Sequence, residues 1–186
     1  MKTTKPILYL PIEVGNRELL AKIHLASKAI NAGYKVVIGQ KGLLNRLCSK
    51  LPSGVYISGG AFSNYISFFK FLKTKGFKIG VLEEEGLVTY KKKMYIDMRT
   101  DQNCFDLIDS YYLWGQHQYN LLLEKHSTNS HKFKITGNPR FDILSPDGLK
   151  AFKSELDWIK MKYSQYVLIC TCFSSINHYD KDLDYL

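Results

Sequence analysis

Three consecutive carboxylates, Glu83-Glu84-Glu85, closed by Gly86, are the residues of this 186-residue chain best suited to chemistry. They follow Ile79-Gly80-Val81-Leu82, a short apolar run that reads as a buried strand. Like charges crowded beside a desolvated strand repel one another. A general base or nucleophile acting on a hydroxyl or a sugar carbon needs such a carboxylate within reach. In an extended chain Glu83 and Glu85 share a side and Glu84 points the other way. The alternative is a solvated loop whose acids cap the next segment.

Other charged residues stand at similar junctions. Glu13, Arg17 and Glu18 follow the apolar run Ile7-Leu8-Tyr9-Leu10. There Arg17 is placed either to grip a carboxylate or phosphate or to pair with Glu13. Gly137-Asn138-Pro139-Arg140 is a tight turn in which proline keeps Asn138 out of helix; Arg140 is free either to bind an anion or to pair with Asp142. Asn177 and His178 follow the last apolar run, Tyr166 to Phe173. The histidines His24, His117, His126 and His131 lack metal-ligand spacing, so no metal is expected. The absence of G-x-G-x-x-G removes the dinucleotide fingerprint, and no cofactor is expected.

The elements that must position these residues alternate. Apolar runs at Ile7–Leu10, Lys35–Ile38, Val55–Ile57, Ile79–Leu82, Tyr111–Trp114, Phe133–Ile135 and Tyr166–Phe173 read as strands. Helices are predicted over Arg17–Asn31, Gly42–Lys50, Asn64–Thr74, Asp101–Ile108, Gln116–Lys125 and Leu149–Tyr163, with Leu87–Arg99 less regular. In the first helix Leu19, Ile23, Ala26 and Ile30 are expected to face the core and Asn16 to cap the start. Gly33-Tyr34-Lys35 and Gly76-Phe77-Lys78 read as two copies of one helix-to-strand junction. The expected fold is α/β: a Rossmann-like parallel sheet with helices on both faces. Right-handed crossovers gather every strand-to-helix loop, and so every charged residue above, on one rim of that sheet.

Composition narrows the class. The chain is 45% hydrophobic and 23% charged with a formal net charge of +9, ordinary for a folded domain. No apolar run approaches the roughly 20 residues that span a bilayer. No signal-peptide core follows the N-terminus. The basic residues are scattered over several elements without a nucleic-acid module, which argues for solvated faces or an anionic-lipid contact and against nucleic acid. The four cysteines lack zinc or redox spacing and are expected to be reduced, which fits a cytoplasmic location.

Read together, these segments resemble bacterial surface-carbohydrate biosynthesis proteins. The likeness rests on Tyr9-Leu10-Pro11-Ile12-Glu13-Val14 with Arg17-Glu18, Glu83-Glu84-Glu85-Gly86-Leu87-Val88, Trp114-Gly115, Thr136-Gly137-Asn138-Pro139-Arg140-Phe141-Asp142, and Cys170-Thr171-Cys172-Phe173 with Asn177-His178. Glu83 stands where that family has Asp, and Cys170 and Cys172 stand where it has Asn. The resemblance, more distantly shared with capsule transferases of keto-deoxy-octulosonic acid, implies half of a GT-B-like glycosyltransferase. Residues 1–164 would be the acceptor-side domain and 165–186 the start of a truncated donor-binding domain. It implies a nucleotide-activated sugar donor and a glycan or lipid-linked acceptor, with the chain by itself expected to be inactive; the expected location is cytoplasmic, and the basic surface leaves open a peripheral contact with an anionic membrane at its inner face. Glu84 and Glu85 would be catalytic. Glu13, Arg17, Glu18, Glu83, Asn138, Arg140, Asn177 and His178 would bind substrate. A non-catalytic anion- or glycan-binding domain and a nucleotide-sugar epimerase-like domain are the alternatives.

Overall fold

A computed structural model describes residues 5–86 and 92–169. The chain divides into two compact units, Met1–Leu149 and Lys150–Leu186. The helix that the sequence reading included in the first domain therefore lies in the second unit.

The first unit is built on a six-stranded, all-parallel sheet ordered β2-β1-β3-β4-β5-β6. Its strands are β1 (Ile7–Ile12), β2 (Lys35–Gln40), β3 (Val55–Ser58), β4 (Lys78–Leu82), β5 (Ser110–Leu113) and β6 (Phe133–Ile135). The helices are α1 (Gly15–Asn31), α2 (Lys41–Leu47), α3 (Ile66–Thr74), α4 (Lys92–Arg99), α5 (Gln102–Leu107), α6 (Gln116–His126), α7 (Pro139–Ile143) and α8 (Pro146–Leu149). The α/β Rossmann-like architecture is thus present. The strand order reverses between β1 and β3, the switch point where open parallel sheets take ligands.

The side chains of alternate strand residues feed two unequal layers. Tyr9, Tyr56, Ile79, Val81, Tyr111 and Leu113 face the larger core, covered by residues of α2 to α6 such as Leu44, Phe69, Leu72, Phe105 and Leu122. Leu10, Ile57 and Leu82 face the smaller core, where Ala26 of α1 is their buried helical partner.

The two junctions repeat at atomic detail. Gly33 and Gly76 have φ of +91° and +77°. The next amides reach back five residues, Tyr34 N–H to the Ala29 carbonyl and Phe77 N–H to that of Leu72, each 3.0 Å. These are Schellman ends, which only a residue tolerant of positive φ closes cheaply.

Three expectations are corrected. Helix α1 buries Glu18, Ala21, Lys22 and Ala26, while Leu19, Ile23 and Ile30 are exposed. Glu18 and Lys22 find charged partners on the buried side, so the helix is rotated from the orientation that its larger apolar residues suggest. Its cap is Val14 rather than Asn16; with no side chain capping from that position, the Glu18 carboxylate instead accepts the N–H groups of Glu13 and Val14 at 3.0 and 3.2 Å. The irregular stretch contains helix α4.

In the second unit a 3-10 turn, Lys150–Phe152, leads into α9 (Lys153–Tyr163). Residues 166–169 are exposed and form no strand, because no neighbouring strand supplies ladder hydrogen bonds among the described residues. Cys170–Phe173, Asn177 and His178 lie outside the described residues. No helix among the described residues is long and apolar enough to cross a membrane.

His126, at the end of α6, is fully buried and stacks on Phe105 with ring centroids 4.0 Å apart. Its ring nitrogens lie 2.8 Å from Gln102 Oε1 and Thr100 Oγ1. Burial first, and the Lys125 charge second, lower its pKa from 6.5 to about 4 against the opposing pull of Asp101 and Asp106. The unfolded chain therefore binds a proton that the folded chain refuses between those values, and stability falls as pH drops from 6.5 toward 4. We expect urea unfolding at pH 4.5 to show about 2–3 kcal/mol less stability than at pH 7 from this group. His126→Gln should remove that part of the pH dependence; an unchanged dependence would reject the assignment.

Candidate functional site

The loops at the carboxyl ends of β1, β4 and β6 meet, as right-handed crossovers require. Four carboxylates, Glu18, Glu83, Glu84 and Glu85, interlock there with four cations, Arg17, Lys22, Arg99 and Arg140. The repulsion inherent in the acidic triplet is thus relieved by cations from three separate helices.

Glu83 is the fixed point, with 0% exposure. One carboxylate oxygen accepts Arg99 Nε at 2.8 Å. The other accepts Tyr95 Oη at 2.5 Å, Tyr111 Oη at 2.9 Å and Gln118 Nε2 at 2.8 Å. Burial first, and the Glu83 charge next, push both phenols well up, so each stays protonated as a donor. The Glu83 carbonyl accepts Trp114 Nε1 at 2.7 Å and Asn138 Nδ2 at 3.4 Å. A Cβ on Gly86 would strike the Trp114 ring, so glycine is what allows the indole to cross the turn.

Glu84 and Glu85 diverge from that anchor. Glu84 is buried between Lys22 Nζ at 3.0 Å and Arg140 at 2.5 Å. Lys22 also donates to the Pro11 carbonyl at 3.0 Å. Glu85 has a 40% exposed side chain and bridges Arg17 at 3.2 Å and Arg99 at 2.8 Å. Glu83 and Glu85 share Arg99 while Glu84 pairs with Lys22 of α1 and Arg140 of α7, an arrangement made by the turn over residues 84–86 rather than by an extended segment. Each oxygen of Glu85 has one cationic partner, and a carboxylate oxygen carries two lone pairs. An incoming hydroxyl can therefore still donate to it.

Several expected ligand-binding residues serve the protein itself. Glu18 is buried, gripped by Arg17 at 3.0 Å and by the Glu13 and Val14 amides just before α1. Burial would raise its pKa, but those amides, Arg17 and Lys22 outweigh it and lower the value. Asn138 uses its oxygen to accept Arg140 N–H at 3.1 Å and its amide to hold the Glu83 carbonyl. Neither pairing weighed from sequence forms: Arg17 chooses Glu18 and Glu85 over Glu13, and Arg140 chooses Glu84 over Asp142. Glu13 instead pairs with Lys41 at 2.9 Å, beside Tyr65. Lys22, Tyr95, Arg99, Tyr111 and Gln118 are site residues that the sequence reading missed. Only Lys22 left a signal there, four residues after Glu18 on one helical face.

Against family models, curated proteins and solved structures, nothing matches this chain.

Proposed function

We propose that this chain is the acceptor-side domain of a glycosyltransferase-like protein of bacterial surface polysaccharide synthesis, working with a nucleotide-activated donor and a glycan acceptor. The observation that supports this reading is the meeting of Glu85 with Arg17 and Arg99, and of the adjacent Glu84 with Arg140, at the carboxyl end of the parallel sheet. The sequence resemblance names the chemistry. Glu85 is the carboxylate open to an acceptor hydroxyl, where a positioned anion assists deprotonation or stabilises an oxocarbenium-like centre. Glu84, held by Lys22 and Arg140, keeps the turn in place. Glu83 and Asn138 are positioning residues rather than substrate ligands, and Arg17 and Arg140 are the groups placed to receive anionic substituents.

A non-catalytic glycan- or anion-binding domain is the second reading. Its favouring observation is that each carboxylate of the triplet is already ion-paired. The experiment is transfer of labelled sugar from a panel of nucleotide sugars to envelope glycans, by the chain alone and joined to a donor-binding domain. Transfer with the joined protein is the expected result. Salt-sensitive glycan binding without transfer in either form would select the second reading.

A further inference from the structure

We propose that the β2 margin of the sheet is a homodimer interface, at which β2 pairs antiparallel with the β2 of a second copy and the two sheets become one. This goes beyond the proposed function and does not depend on it. Strand β2 ends the sheet on one side, and its outer edge has no partner strand among the described residues. None of its six residues is buried. Exposed edge strands are ordinarily blunted by brevity or by a charge within the strand. The opposite margin is protected in that way, since β6 has three residues with the exposed Lys134 at its centre. Strand β2 has neither device. Its middle is Val36-Val37-Ile38-Gly39, and its charged residue, Lys35, stands at the very start.

What flanks the strand identifies the occupant. Helix α1 packs over β1 and β2 on one face of the sheet, and α2 packs over the same pair on the other. Leu19, Ile23 and Ile30 of α1 and Leu43 and Leu47 of α2 are exposed. Leu19, Ile23, Ala26 and Ile30 also follow the alternating four- and three-residue spacing of a coiled-coil seam. An extended peptide would satisfy the strand edge and leave these side chains in water. A second copy brings an identical strand with an identical helix on each face. Because α1 straddles β1 and β2, two such helices related by a two-fold axis lie two strand spacings apart, about 9.5 Å, and helices pack at about 8–10 Å. The register follows from the backbone. Lys35 N–H donates to the Pro6 carbonyl at 2.8 Å, toward β1. Backbone groups alternate in direction along a strand, so those of Val36 and Ile38 point outward. A two-fold axis at Val37 sets Val36 against Ile38 of the second copy, each exchanging both hydrogen bonds. Like faces then stay together, with Val36 and Ile38 on the α1 side and Val37 on the α2 side. Charge favours the same arrangement. Parallel pairing sets Lys35 against its own copy, which like charges oppose. Antiparallel pairing sets it opposite Gly39, at the end of the strand where Glu13, paired with Lys41, keeps a 55% exposed side chain.

Sedimentation velocity of the whole chain across the micromolar range is expected to show a monomer–dimer equilibrium. Hydrogen exchange at the Val36 and Ile38 amides, which face solvent in one copy, should slow at least about tenfold as the dimer forms. Both measurements use the unsubstituted protein. For the register, Cys170 and Cys172 are replaced by serine and Val37→Cys is oxidised mildly. Residues facing each other in a non-hydrogen-bonded antiparallel pair have Cα atoms about 4.5 Å apart, within disulfide reach, so a covalent dimer should form. Lys35→Cys should not cross-link, because its counterpart lies about four residues, or roughly 13 Å, along the strand. Ile23→Lys changes a half-exposed side chain, so one copy should fold as before while the dimer Kd rises at least about tenfold. A chain that stays monomeric throughout that range, exchange at Val36 and Ile38 that ignores concentration, or cross-linking through Lys35→Cys in place of Val37→Cys would overturn the proposal. So would a dimer that forms no Val37 cross-link and is indifferent to Ile23→Lys, since its interface would lie elsewhere.

Discussion

Glu83→Ala is expected to lower the unfolding free energy by about 3–5 kcal/mol, the cost of removing one partner from a buried ion pair. The carboxylate ties together Arg99 and Tyr95 of α4, Tyr111 of β5 and Gln118 of α6. Its loss leaves buried hydroxyls and an amide short of acceptors, each a further penalty. Since domains are stable by only about 5–15 kcal/mol, urea unfolding should show a midpoint moved far down or a chain unable to fold. Glu83→Gln keeps an acceptor oxygen and should cost less. A loss below about 1 kcal/mol for the alanine variant would mean that the network does not hold this rim together.

Glu85→Gln should leave stability nearly intact yet remove activity. Its pairs with Arg17 and Arg99 are partly exposed, and exposed pairs contribute about 0–1 kcal/mol. As the carboxylate facing an acceptor hydroxyl, it is expected to contribute about 10²–10⁴-fold to kcat. The comparison is steady-state transfer by the joined protein, with thermal unfolding of each variant alongside. Glu84→Gln should reverse the pattern, with a clear loss of stability because it strips a buried acid from Lys22 and Arg140. Full activity in both variants would remove the triplet from the chemistry and leave the binding reading.

The sheet was legible in the sequence because parallel strands buried on both faces are written as short apolar runs, and six of them reappear nearly in place. The repeated glycine junctions were legible for the same kind of reason, since positive φ selects glycine almost uniquely. The rotation of α1 was hidden. Leu19, Ile23 and Ile30 carry the stronger apolar signal, but the buried face is the one on which Glu18 and Lys22 find ion-pair partners beside Ala21 and Ala26. The rim followed from topology, which brings Arg17, the triplet and Arg140 together whatever their spacing in the chain. Their pairing did not follow. Arg99 sits at the end of a helix that sequence periodicity missed, and once it holds Glu83 and Glu85 the remaining partners are redistributed.

An all-parallel ladder also governs the order of events when the chain folds. Adjacent strands are joined only across long crossovers, as with Gly80 opposite Ser110, and the Arg140–Glu84 contact closes a separation of 56 residues. Such non-local closure is slow, because loop entropy is lost before any contact rewards it. Arg17, Lys22 and Arg99 precede the last two strands, so the triplet can be partly paired early, whereas the Arg140 partner of Glu84 arrives only when the last strand docks. Competence at the rim and completion of the sheet become a single late event.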